Sequence, residues 1–227
     1  MEQISKGNGG SCVLSAYSSS VINLSNHLTT SLGITAQYFT LNKNWTVEPR
    51  AALKWSFNPK HALALAYGLH SRREKLDYYF VEQEANGKTE SNRYLDFSKA
   101  HHFGLTYDWN INSYMHLKVE PYYQYLFRIP VEENSSFSII NHQSFYLDRI
   151  LKNRGSGVNY GIDITLEQYM KNGFYYMITA SLFKSKYKAG DNIWRNTRLD
   201  KNYLLNILAG KEWMVGRNKQ NVLSLNG

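Results

Sequence analysis

The sequence has little of what usually ties a chain together: among its 227 residues there are 4 prolines and 1 cysteine. Cys12 has no partner for an internal disulfide, and in an exported protein it is expected to be an inert, partly buried thiol. No stretch reaches the roughly 18 to 20 consecutive apolar residues of a membrane helix. The opening "MEQISKGNGGSC" has an early lysine with no apolar core behind it, so it does not read as a signal peptide. The chain is expected either to stay inside the cell or to be a piece of something longer. The formal charge is +8, yet no basic run exceeds Arg72-Arg73 and no helix gathers the cations. Lysines and arginines scattered through turns and loops do not make a nucleic-acid footprint, and no nucleic-acid partner is expected. There is no Gly-rich phosphate loop, no paired cysteine and no His-Glu-x-x-His. "GSGVNYG" (155–161) has the glycines of a dinucleotide fingerprint but opens a strand where that motif needs a helix. Those glycines are expected to relieve a loop-to-strand junction. Neither catalysis nor a cofactor is expected.

Aromatics, by contrast, are plentiful, with 18 Tyr, 10 Phe and 5 Trp, and they favour strands. In "VEPRAALKWSF", Val47, Pro49, Ala51, Leu53, Trp55 and Phe57 fall on one face, with Glu48, Arg50, Ala52, Lys54 and Ser56 on the other. That is the period-two pattern of a strand with one apolar and one polar side. "NPKH" is a turn, and the return strand places Leu63, Leu65, Tyr67 and Leu69 on its apolar side. The rhythm recurs over 102–109, 116–127, 158–167 and 174–182, and less cleanly over 11–21, 29–40, 202–214 and 221–227. About ten strands and no helix are expected. Pro49 and Pro121 cannot donate to a ladder, which weighs against full pairing of their strands, although a bulge near each strand start could accommodate them.

The links sort by length. Short ones fall at 22–28, 58–60, 110–114, 170–173 and 215–220; long polar ones fall at 71–100, 128–154 and 185–201. With strands alternating up and down, every long link lands at one end, where only the short 41–45 link joins them. Outer-membrane barrels sort their connections this way, with short periplasmic turns and long outside loops. Alternating runs of about 9 to 13 residues suit a tilted crossing, against about 5 to 6 for a typical soluble strand. Trp45, Trp55, Phe57, Trp109, Tyr125, Phe127 and Trp213 lie near strand ends, as interfacial girdles require.

The pieces "EPRAALKWSFNPKHALALAYGLHSRREKLDYYF", "HHFGLTYDW", "LKVEPYYQYLFRIPVE", "GSGVNYGIDITLEQYMKNGFYYMITASLFKSKY" and "NYLLNILAGKEW" resemble, in order and spacing, the later barrel strands of TonB-dependent outer-membrane receptors. The resemblance covers most of the chain from about Ser15. It implies an all-β, antiparallel, up-and-down transmembrane barrel segment of about ten strands, and a Gram-negative outer-membrane location. The implied activity is energy-coupled uptake of a large nutrient, either a metal chelate or a glycan or peptide. It also implies a TonB-type energy-coupling partner, reached through amino-terminal parts not visible here, outer-membrane lipid around the wall, and a possible surface lipoprotein. Receptor barrels of this kind close with roughly 22 strands around a plug. No plug is visible, and the sequence stops at "VLSLNG" where an aromatic residue usually ends such barrels. The whole of 1–227 is therefore expected to be one incomplete barrel domain. Two alternatives remain open: a complete small barrel acting as a rim enzyme or adhesin, and a soluble carbohydrate-binding β-sandwich.

On the barrel reading, Leu53, Trp55, Leu63, Leu65, Tyr67, Leu105, Tyr107, Ile162 and Ile164 face lipid, whereas Glu48, Arg50, Lys54, Thr106, Lys118, Glu120, Asp163 and Thr165 face the lumen. The acidic residues there are expected to be hydrated and paired with Arg50, Lys54 and Lys118. His101 and His102 are neighbours on a strand and point to opposite faces, so at most one can join His70 in a metal site. No metal site is expected. The long links should contact ligand and be the most protease-sensitive parts, with Arg72, Arg73, Tyr78, Tyr79, Trp194 and Arg195 as candidates for binding substrate.

Overall fold

The computed structural model describes residues 10–85, 87–144, 146–218 and 220–227. In chain order its strands are β1 (Val13–Ser25), β2 (Leu28–Phe39), β3 (Asn44–Asn58), β4 (His61–Arg72), β5 (Glu82–Ala85), β6 (Lys88–Ser91), β7 (Ser98–Asn112), β8 (Met115–Val131), β9 (Lys152–Lys171), β10 (Phe174–Lys188), β11 (Trp194–Asn196), β12 (Tyr203–Val215) and β13 (Asn221–Asn226). Ten of them form one antiparallel path, β1-β2-β3-β4-β7-β8-β9-β10-β12-β13; β11 adds to β10, and β5 pairs only with β6. Sequential strands pair side by side in a continuous up-and-down meander, and β1 does not pair with β13, so the sheet is open. This single layer is not a sandwich, which needs two packed sheets. Among the described residues no helix is long and apolar enough to cross a membrane. Among the described residues the helical content departs from the expected none in three short 3₁₀ segments, Leu76–Phe80, Asn92–Tyr94 and Ile139–Asn141.

Local chemistry fixes the short ends. At the β3–β4 turn the Asn58 side chain accepts from the N–H groups of Lys60 (2.8 Å) and His61 (3.0 Å), closing the corner that Asn-Pro begins. Between β9 and β10, Asn172 (φ 53°) and Gly173 (φ 71°) both take the left-handed conformation that a two-residue hairpin turn requires. The long connections, 73–97, 132–151 and 189–202, all leave the opposite end. Neither proline makes a bulge: Pro49 stays in register with Ile34 and Pro121 with Ile162. Their missing N–H groups are accommodated by gaps in pairing instead. The β3–β4 ladder begins one residue beyond Pro49, at Arg50, and the β7–β8 ladder skips from Gly104 to Tyr107 opposite Pro121. The register does shift between Leu126 and Pro130, where Arg128 has φ 54°.

Strict alternation gives the sheet two unlike faces. Cross-strand rows such as Leu53–Leu65–Leu105 and Trp55–Leu63–Tyr107 form an apolar face, and large side chains on it stay open, for example Leu65 at 55% and Ile207 at 64%. A water-facing sheet would not leave so continuous an apolar area uncovered. Aromatic clusters border it at both ends. Near the loops, His101 stacks between Tyr67 and Phe127; near the turns, His61 stacks on Phe57, Tyr107 and Trp109. The buried core is not between sheets but beneath the loops. It comprises Phe39, Tyr78, Tyr79, Val81, Leu95, Phe97, Ile129, Ile139, Leu147 and Leu151.

Candidate functional site: a polar row beneath packed loops

The second face is polar, and register brings its side chains into line. Lys54, Ala64 and Thr106 lie opposite one another, as do Glu120 and Asp163, and Lys118 and Thr165. Glu48, Arg50, Lys54, Thr106, Lys118, Glu120, Asp163 and Thr165 share this face by alternation and register. Their pairing is local: Lys118 Nζ lies 2.8 Å from Glu120, which also accepts from Thr106 (3.2 Å). At the turn end His116 meets Asp108 at 3.1 Å.

Nearer the loops one row stands out. Ser19, Gly33, Arg50, Gly68, His102, Gln124, Asn159 and Ser185 are successive cross-strand partners from β1 to β10. Its right half is a hydrogen-bond chain: Asn159 donates to Gln124 (3.1 Å), Ser185 donates to Asn159 (2.7 Å), and Thr197 on the 189–202 loop donates to Ser185 (2.8 Å). At its left, Arg50 is tied to Glu48 at 3.0 Å, a carboxylate only 2% exposed. Gln37 (2.7 Å) and the Ser71 N–H (3.0 Å) complete its shell. A carboxylate so buried persists only with such partners, since taking a lone charge out of water costs several kcal/mol. Gly68 sets the centre. A Cβ there would stand 2.7 Å from His70 Nε2, so the missing side chain lets the His70 ring fold toward His102, with ring centroids 4.4 Å apart. Arg50, His70, His102 and Gln124 line an open concavity of about 520 Å³. Among the described residues no group of three or more His, Cys, Asp or Glu gathers as a metal cage would need. His101 indeed points to the other face, where its Nδ1 meets the Tyr67 hydroxyl at 3.0 Å. A larger trough of about 700 Å³ runs along the apolar face past Leu53, Leu65 and Leu105. It presents hardly any polar group, so it suits acyl chains rather than a specific ligand.

The loops above this row are packed against one another. Asn92, 1% exposed, donates to the Arg149 carbonyl (2.9 Å) and accepts from the Leu151 N–H (2.7 Å), clamping 73–97 to 132–151. Ser98 donates to Glu74 (2.6 Å), and the Glu74 N–H donates to the Tyr79 hydroxyl (3.2 Å). Burial pushes the Tyr79 phenol up to about 12. Loop 189–202 joins through a bridge between Glu133 and Gly190, where an added Cβ would lie 2.0 Å from the Glu132 carbonyl oxygen. The hydrogen bond from Lys152 holds the Glu133 carboxyl below its ordinary range, and Arg195 does the same for Asp191.

The substrate-binding candidates therefore separate. Tyr78 and Tyr79 are 4% and 1% exposed core residues, so as placed they brace the loops and offer a ligand no surface. Arg73 lies over the Phe39 ring at 5.8 Å and Arg72 reaches Glu74 at 3.6 Å, so both edge this core. Arg195 is spent on Asp191 at 2.5 Å; Trp194 lies half-open beside Lys188. None of the six joins the polar row. Sequence reasoning placed Arg50 on the polar face but did not unite it with His102, Gln124, Asn159 and Ser185, because only register aligns residues so far apart. Two smaller expectations also change. Cys12 is exposed at the edge of the sheet. Gly155 and Gly157 lie inside β9, where an added Cβ at Gly155 would meet Val131 Cγ1 at 2.3 Å.

No protein-family model matches the chain, and no curated protein matches it in sequence. Solved structures do match its fold. The ferripyoverdine receptor of the Pseudomonas aeruginosa outer membrane superposes with a TM-score of 0.66 at 9% identity, over 94% of this chain and 27% of that one. The ferric-catecholate import receptor of E. coli gives 0.66 at 8% identity, over 91% and 32%. The alcaligin outer-membrane receptor of Bordetella pertussis gives 0.62 at 13%, over 95% and 36%. The chain thus spans about a third of the length of such receptors. Its fold is that of an arc of an outer-membrane receptor barrel, the barrel of the TonB-dependent class that its sequence resembles.

Proposed function

We propose that this chain forms part of the wall of an outer-membrane receptor that takes up a large metal chelate with energy supplied by a TonB-type coupling protein. The observation that carries the reading is the polar row, set on the face opposite the apolar one and roofed by interlocked loops. On this reading the apolar face meets lipid and the polar face lines the lumen. Arg50, His102, Gln124 and Asn159 offer donors and acceptors at the level where a ligand descending past the loops first meets the wall. Excess donor capacity suits an anionic chelate better than a neutral glycan or a peptide. The receptors with which the fold superposes are described as handling ferripyoverdine, ferric catecholates and alcaligin, which supports the same substrate class. The energy-coupling protein would act through parts of the polypeptide beyond this arc, and a surface lipoprotein would dock, if one is used, on the loop end.

The test is uptake of radiolabelled ferric chelates by cells carrying the natural gene, the gene deleted, and an Arg50→Ala/His102→Ala variant with undiminished surface level. Loss of uptake on deletion, a reduction in the variant and abolition by a protonophore are expected. Unchanged uptake of every chelate on deletion would defeat the assignment.

A further inference from the structure

We propose that the apolar face carries, at its loop end, a docking site for the phosphate groups of an outer-leaflet lipid, built on Lys184, Lys186 and Lys188 of β10. The proposal rests on the outer-membrane reading above. Alternate residues of β10 on this face run apolar from Phe174 to Leu182 and then turn abruptly to the three lysines. Register gives the level of the change. Lys184 lies opposite Tyr160, which lies opposite Tyr123, then Phe103, then Tyr67. That aromatic row is what a membrane–water interface selects. Lys186 and Lys188 stand one and two rungs further toward the loops, so the column rises about 13 Å from the interface. Trp194 pairs with Lys188 on the same face, its ring centroid 5.9 Å from Nζ, and supplies a second interfacial side chain.

Among the described residues only Lys184 of the three is drawn into an internal ion pair. Lys184 has one carboxylate nearby, Asp200 at 3.9 Å, and contacts the Asn202 side chain. Glu133 is taken by Lys152 and Arg154, and Asp191 by Arg195. Among the described residues Lys186 and Lys188 have no ion pair within 4.0 Å. Cations on a lipid-facing wall are costly unless they reach water or an anion, so they extend toward the headgroups. The occupant must be an amphiphile, because the same strand offers an acyl-chain surface, Ile178 to Leu182, directly below the cations. A free phosphate would use only half of this arrangement.

The test uses the protein expressed from its natural gene and extracted from outer membranes in mild detergent, with retained lipid counted by native mass spectrometry. Diphosphoryl lipid A and phosphatidylcholine are titrated against the unaltered protein, K184Q/K186Q/K188Q and K184R/K186R/K188R. Each lysine near an anionic lipid surface contributes roughly fivefold, so the glutamine variant should retain lipid A on the order of a hundredfold more weakly. The arginine variant should keep it, and phosphatidylcholine should bind all three weakly and alike. Equal lipid A retention by all three proteins overturns the site. Displacement of lipid A by millimolar inorganic phosphate overturns the lipid as its occupant. Absence of the protein from the outer-membrane fraction overturns the parent reading instead, and the two failures are thereby told apart.

Discussion

Leu65 and Ala64 are neighbours in β4 whose side chains leave on opposite faces, and they form the sharpest residue-scale contrast in the protein. Leu65 lies between Leu53 and Leu105 on the apolar face, while Ala64 lies between Lys54 and Thr106 on the polar one. An arginine in place of Leu65 would set a charge against hydrocarbon and should cost about 2 to 4 kcal/mol of stability in lipid. At Ala64 the same residue would join a hydrated polar surface, and the penalty should be far smaller. Chemical unfolding of the two variants in lipid vesicles checks this, and equal penalties would refute the facing of the strands. Asn92 offers a second contrast. Asn92→Leu fits a similar volume but strands the Leu151 N–H and the Arg149 carbonyl, each unsatisfied group costing about 1 to 3 kcal/mol. Faster amide exchange over 147–151, with the strand amides of β7 and β8 unchanged, is the expected readout.

The loops are expected to respond to pH, because two carboxylates hold them from outside the core. The Lys152 hydrogen bond lowers Glu133, and Arg195 lowers Asp191, so each folded value lies below the unfolded one. A depressed acid stabilises the folded state above its unfolded value, and the contribution disappears as pH falls through the folded value. Loop order should therefore be constant at neutral pH and decline below the ordinary carboxylate range. Amide exchange over 189–202, followed from pH 7 down to about 3, should rise at the acidic end. A rise that begins near pH 6 to 7 would point to histidine instead. The strands themselves were readable from the sequence because period-two alternation and Asn-Gly or Asn-Pro turns are local signals; even the sorting of long links to one end followed from counting. The loop core was not readable. "KLDYYFVEQEANGK" looks polar, and nothing local shows that Tyr78 and Tyr79 turn inward to a core shared with Phe39 at the end of β2 and Leu147 of another connection. The polar row was half readable: alternation gave the face, but alignment of Arg50 with His102 and Ser185 needed the register of five strand pairs.

At the scale of the whole molecule, the described sheet is an open arc whose first and last strands, β1 and β13, are each paired on one side only. In lipid each unpaired backbone group costs several kcal/mol, and an uncovered strand edge is a template for association. These 227 residues expressed by themselves should aggregate or pair edge to edge. A monodisperse, heat-modifiable monomer that passes solute would instead favour a small complete barrel. The central claim is that the sheet crosses the outer membrane with its packed loops outside. Single cysteines at Thr89 and Gln143 on the loop side, and at Lys60 and Ser113 on the turn side, all exposed positions, test it in a Cys12→Ser background. A membrane-impermeant maleimide applied to intact cells should label Thr89→Cys and Gln143→Cys, and should reach Lys60→Cys and Ser113→Cys only after permeabilisation. Labelling of the turn positions alone, or of all four only after permeabilisation, would contradict the account.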